Sequence, residues 1–154
     1  MASTTPRSAR LRRWALAGLL AGLLAAVGID AWRMAGLRGL AEDWRRAHDA
    51  RDLAALEALY CWDGADAALR ARVRLVLLQE FELPVRSAVA ERCTAVDLLQ
   101  GDTQRANLEP TGVIAVEFAS GDGLGARLLA GGPWSRPRLV LLLPARPARP
   151  DSGS

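Results

Sequence analysis

Residues 112–119 read GVIAVEFA. In an extended chain Ile114, Val116 and Phe118 share one face and Glu117 takes the other, the period of two that marks a strand with one buried side. Gly121-Asp122-Gly123 follows as a turn signal, and a second strand is predicted near Leu124–Ala130. Gly131-Gly132-Pro133 turns the chain again. Arg138–Leu143, reading RLVLLL, is predicted as a buried strand, with Val140 and Leu142 facing inward alongside Ile114, Val116 and Phe118. Upstream, Val85–Val96 alternates loosely, as one long strand or two short ones, and Gly101–Pro110 is polar and loop-like. The second half therefore reads as a β-meander.

The first half has a different period. Leu37, Leu40, Trp44, Ala47, Leu53, Leu56, Leu59 and Tyr60 recur at helical spacing and form one stripe. The stripe bends near His48–Asp52, where Asp52 is placed to cap a new helix. Gly64 supplies a left-handed residue to end it. Asp66 opens another helix, along which Leu69, Val73, Val76, Leu77 and Phe81 keep the period to about Glu82, and Pro84 stops it. Arg70, Arg72 and Arg74 point mostly outward and read as a solvated face in preference to a phosphate or acidic-lipid site. Helices followed by a meander make the fold class α+β.

Before these elements lies WALAGLLAGLLAAVGI, residues 14–29, with no charged side chain. With Trp14 and Trp32 at its rims it spans roughly 27 Å at ~1.5 Å per residue, near the thickness of a bilayer core. Arginines precede it, so the positive-inside rule keeps the N-terminus cytoplasmic and exports the rest. The same arrangement also fits a cleaved signal peptide, which makes a secreted soluble factor the alternative. The organisation read from this is a basic cytoplasmic N-terminus over 1–13, a transmembrane helix or signal anchor over 14–32, an exported α+β domain over 33–144, and a disordered Arg/Pro tail over 145–154. The expected location is the bacterial inner membrane, single-pass, with the domain periplasmic.

All 20 basic residues are arginine. Between Asp30 and Pro144 there are 14 arginines against 16 acidic residues, so the net positive charge comes from the two ends. A nucleic-acid module concentrates positive charge on the fold itself, and that class is set aside.

Few residues offer chemistry. His48 is the single histidine, beside Asp49 and near Asp52. It reads either as a general base oriented by a carboxylate or, preferred, as a histidine at a helix bend. Gly121-x-Gly123-x-Gly125 is a hairpin signal, not a phosphate loop, because no helix follows it. One histidine and two distant cysteines lack the spacing of a metal site, and no cofactor motif is present. Cys61 and Cys93, an even count in an exported domain, form a possible disulfide, with two free thiols as the alternative.

Trp44-x3-His48-x2-Arg51-Asp52-Leu53-x2-Leu56-x2-Leu59-Tyr60 resembles the opening of the NTF2-like (SnoaL-like) superfamily, where a helix breaks at an Asp-Leu pair and ends near an aromatic residue. Tyr60-Cys-Trp-Asp-Gly64 with Asn107–Gly112 (NLEPTG) is similar to a group of small, uncharacterised membrane-anchored bacterial proteins. The resemblance implies helices packed on a curved antiparallel sheet shaped as a cone. Some members are isomerases or dehydratases, and on that reading His48, Tyr60 and Asp63 line the pocket. Others bind small molecules or dimerise through the sheet. The expectation drawn from the whole chain is a non-catalytic, single-pass protein. It meets the bilayer through its N-terminal helix, and its exported domain engages a protein partner or a second copy in envelope assembly. The small-molecule or enzymatic cone is the alternative.

Overall fold

The computed structural model describes residues 7–98, 104–120 and 123–144, with side chains from residue 28 onward. The chain divides into two compact units, Met1–Arg33 and Met34–Ser154. The first contributes the N-terminal part of helix α1, Arg7–Asp49. Among the described residues no helix is long and apolar enough to cross a membrane. The expected span falls mainly on 14–27, whose side chains lie outside that set, as does the tail over 145–154.

In the second unit the class is α+β, as the two periodicities require. Helices α2 (Leu53–Ala58) and α3 (Ala67–Glu80) follow α1. Strands β1 (Val85–Glu91), β2 (Gln104–Ala106), β3 (Pro110–Phe118), β4 (Gly125–Gly131), β5 (Arg138–Leu139) and β6 (Leu142–Pro144) complete the order. Local chemistry sets the boundaries. Asp52 accepts from Ala55 N at 2.9 Å and Asp66 from Leu69 N at 2.7 Å, each satisfying a donor that its helix leaves open. The end of α1 is closed by Asp52 N to Ala47 O and Arg51 N to His48 O, both 2.9 Å. That pair of bonds is a Schellman closure, and it places Arg51 in the left-handed region at φ 52°.

The main sheet is antiparallel in the order β1-β3-β4-β5, and β2 pairs with β6 separately. Ile114 faces Ala90 on one side and Leu128 on the other, and Val116 faces Ala88 and Ala126. These inward positions meet Leu37, Leu40, Trp44 and Leu56 in one core. α1 approaches β3 so closely that a methyl group on Gly112 would strike Leu37.

Two expectations need correction. Leu142 is exposed, and Leu139, Leu141 and Leu143 enter the core in its place, while Val140 is buried outside the core cluster. The run is not one strand. It pairs with β4 through Leu139, leaves the sheet at Leu141, and pairs with β2 from Leu142. Leu139, Leu141 and Leu143 share one face by the period of two, and that face is the inner one. Second, Cys61 and Cys93 are both free and are not joined to each other. Cys61 is buried in the corner after α2, whereas Cys93 follows the far end of β1, near Asp97 and Arg127.

Candidate functional site

The three candidate residues are placed at different points. His48 sits at the last turn of α1, 4% exposed. It stacks on Trp44 with ring centroids 5.0 Å apart and meets Phe81 edge-on at 5.6 Å. Its Nε2–H donates to the Glu80 carbonyl at 2.9 Å. A carbonyl only accepts, so this bond places the proton on Nε2. Among the described residues Nδ1 has no hydrogen-bond partner. Asp49 Oδ1 lies 3.9 Å from Nδ1, too far for the carboxylate to orient the ring. His48 therefore ties the end of α1 to the end of α3 inside an aromatic box.

Tyr60 is buried under α3 and borders a groove of about 350 Å³. Leu69, Val73, Val76, Leu128 and Leu142 make the groove largely apolar, and Arg72, Glu80 and Gln104 are the polar side chains that line it. Burial raises the Glu80 pKa above the usual carboxylate value. Burial first, and then the Glu80 charge, holds the Tyr60 hydroxyl well above its ordinary value. Tyr60 thus stays neutral at physiological pH and can donate or accept a hydrogen bond, but it cannot serve as a phenolate base. Neither His48 nor Asp63 lines this groove.

Asp63 is exposed and accepts a weak bond from the Cys61 thiol at 3.5 Å. The corner Tyr60–Gly64 is built by other groups. Cys61 N donates to Leu139 O at 2.9 Å and Leu139 N to Leu59 O at 2.8 Å, which makes the segment a one-bridge parallel partner of β5. Trp62 Nε1 donates to Glu57 O at 2.8 Å, and the Arg70 guanidinium lies 5.2 Å from the Trp62 ring centroid. Gly64, at φ 77°, turns the chain toward α3.

Sequence reasoning missed Asn107. Its Nδ2 donates to Cys61 O at 2.6 Å and Asp63 O at 3.2 Å, and its Oδ1 accepts from Leu141 N at 2.9 Å. One amide side chain thus joins the corner to the break between β5 and β6. Its signal in sequence was the NLEPTG run, which the resemblance sets beside Tyr60–Gly64 without giving the asparagine a role.

A second cluster lies on the other face of the sheet. Arg127 contacts Asp97 through Nε at 2.6 Å and Nη2 at 3.0 Å, and reaches Glu91 through Nη1 at 2.8 Å. Thr94 donates to Asp97 through both backbone N–H and hydroxyl. The Arg127 bonds, then those from Thr94, hold the Asp97 carboxyl well below the usual range. This network fixes the segment after β1 over the sheet, a structural task. Among the described residues no three His, Cys, Asp or Glu side chains cluster closely enough to hold a metal ion.

The described residues bring no base, nucleophile and oxyanion donor together in one cleft. Comparison with family models, with curated proteins and with solved structures finds no match to this chain.

Proposed function

We propose that the chain is a non-catalytic, single-pass protein of the bacterial inner membrane whose exported α+β domain works by protein interaction in the envelope. The observation that carries this reading is the outer surface of α3. Leu75 is 57% exposed, Val76 49% and Leu78 47%, three large apolar side chains within four positions. Leu142 adds a fourth exposed apolar side chain at the groove that Val76 borders. An apolar patch flanked by arginines marks an interaction surface. His48 meanwhile is spent inside the fold. The 16 uncharged residues from Trp14 to Ile29, preceded by arginines and set in the continuous helix α1, support the anchor. The early helices, the aspartate-capped break and the antiparallel sheet support an NTF2-like cone as the frame.

The experiment is proximity labelling in the envelope from a tag at the C-terminus, beside carbonate extraction. Retention in the membrane pellet and an enriched envelope protein, or the chain itself, are expected. Release into the soluble fraction overturns the anchor, and labelling with no enriched protein overturns the interaction.

The apolar lining of the groove beside Tyr60 favours one second reading, a small apolar ligand there. An environment-sensitive apolar dye then binds the wild-type protein and loses at least tenfold in affinity in Val76→Ser/Leu142→Ser. Equal binding by both proteins removes that reading.

A further inference from the structure

α3 carries one wall of the groove beside Tyr60. Leu69, Arg72, Val76 and Glu80 follow at intervals of three, four and four residues, so they share one side of the helix. Arg72 and Glu80 stand eight positions apart, about 12 Å along the helix at ~1.5 Å per residue. The apolar side chains lie between them on α3, and Leu128 of β4 and Leu142 of β6 add to the lining. The Glu80 charge is felt at the Tyr60 hydroxyl, which sets those two polar groups together.

Neither group is satisfied by the fold. Tyr60 is 8% exposed, and Glu80 is half-buried. Among the described residues the Tyr60 hydroxyl and the Glu80 carboxyl have no hydrogen-bond or ion-pair partner. The bond that Glu80 accepts from His48 goes to its backbone carbonyl. A hydroxyl and a carboxylate drawn out of water without partners cost stability, and such groups are rare unless something else meets them.

We infer that the groove takes a primary amine on a small apolar body, its ammonium donating to the Glu80 carboxylate and the Tyr60 hydroxyl. This gives the small-ligand reading above its polar head and rests on that reading. Charge selects the class. An anion at Glu80 meets its like. A neutral hydroxyl has one proton to give and leaves the carboxylate charge uncompensated. An ammonium has three, reaches both oxygens and cancels the charge. Arg72 sets the direction, because its own charge repels the ammonium and keeps it at the Glu80 end. Leu69, Val73, Val76, Leu128 and Leu142 then cover the body. The groove volume of about 350 Å³ is at the small end of ligand sites, which suits one ring on a short chain.

The test is calorimetric titration of the full chain in lipid nanodiscs, with empty nanodiscs as the blank. The probes are 2-phenylethylamine, 2-phenylethanol and 3-phenylpropionate, which share a ring and a short chain and differ in the head. The amine is expected to bind the wild type about tenfold more tightly than the alcohol, the gain of a charge-assisted hydrogen bond. In Glu80→Gln the amine is expected to fall to the affinity of the alcohol, with the alcohol unchanged. Equal binding of amine and alcohol by the wild type overturns the ammonium head, and tighter binding of the carboxylate does the same by assigning the groove to Arg72. An amine preference that survives in Glu80→Gln also overturns it. If that variant does not fold, Val76→Ser/Leu142→Ser takes its place, and amine binding undiminished there places the amine outside the groove and overturns the proposal. The apolar dye separates the two claims: dye bound without the amine removes the amine alone, and neither bound removes the groove reading with it.

Discussion

His48 shows how a residue type associated with catalysis becomes a packing element. Its ring fills space between Trp44 and Phe81, and its one committed proton satisfies the Glu80 carbonyl. His48→Phe keeps the ring and loses the bond, so it is expected to cost about 1–2 kcal/mol. His48→Ala also opens a cavity and is expected to cost about 2–4 kcal/mol. Denaturant unfolding of both variants checks the order, and a smaller loss in His48→Ala than in His48→Phe contradicts it. Arg51 makes the opposite case, a residue whose backbone is at odds with its side chain. The left-handed region is unfavourable for any side chain with a Cβ, and Arg51 occupies it because the closure of α1 demands it. Its exposed ion pair with Glu82, at 3.6 Å, returns little. Arg51→Gly is therefore expected to stabilise the domain by about 1 kcal/mol, seen as a rise in the unfolding midpoint.

At the scale of elements, the corner Tyr60–Gly64 and the run Arg138–Leu143 are one construction, joined by Asn107. Asn107→Ala leaves two carbonyls and the Leu141 N–H without their partner and is expected to cost about 2–4 kcal/mol. Asn107→Asp keeps the acceptor but turns a carboxylate on two carbonyls, so it gives no rescue; recovery of wild-type stability in Asn107→Asp sinks this account. The caps at Asp52 and Asp66 and the strand at 112–119 were legible in sequence because each is decided within a few residues. The facing of Val140 and Leu142 was not. It depends on which face of the run meets the core, and that is fixed by the pairing of Leu139 with Ala130 in β4, which an all-apolar run does not encode locally. The cysteine pairing failed for a similar reason, because an even count carries no distance. The Asp97 cluster was also invisible, since Arg127, Glu91 and Asp97 converge only when β1 and β4 flank β3. Its sign with pH follows from the lowered carboxyl. The stabilisation is complete above the unfolded carboxylate value of ~4 and is lost as pH falls below it toward the folded value. Asp97→Asn is expected to flatten thermal stability between about pH 4 and pH 2 relative to wild type. An unchanged slope there rules out Asp97 as its source.

For the molecule as a whole, the division of labour runs along α3. Its inner side closes the core over Leu77, and its outer side carries apolar area that the fold does not use. A helix that is apolar on both sides is surrounded by partners, and on one side of α3 the described residues supply none. The most direct measurement is proximity labelling of Leu75→Ser/Leu78→Ser beside wild type, with thermal unfolding of both. The account predicts that the double variant loses its enriched neighbours while its stability changes by no more than about 0.5 kcal/mol per site. An unchanged set of neighbours, or a loss of several kcal/mol that marks these leucines as core, contradicts it.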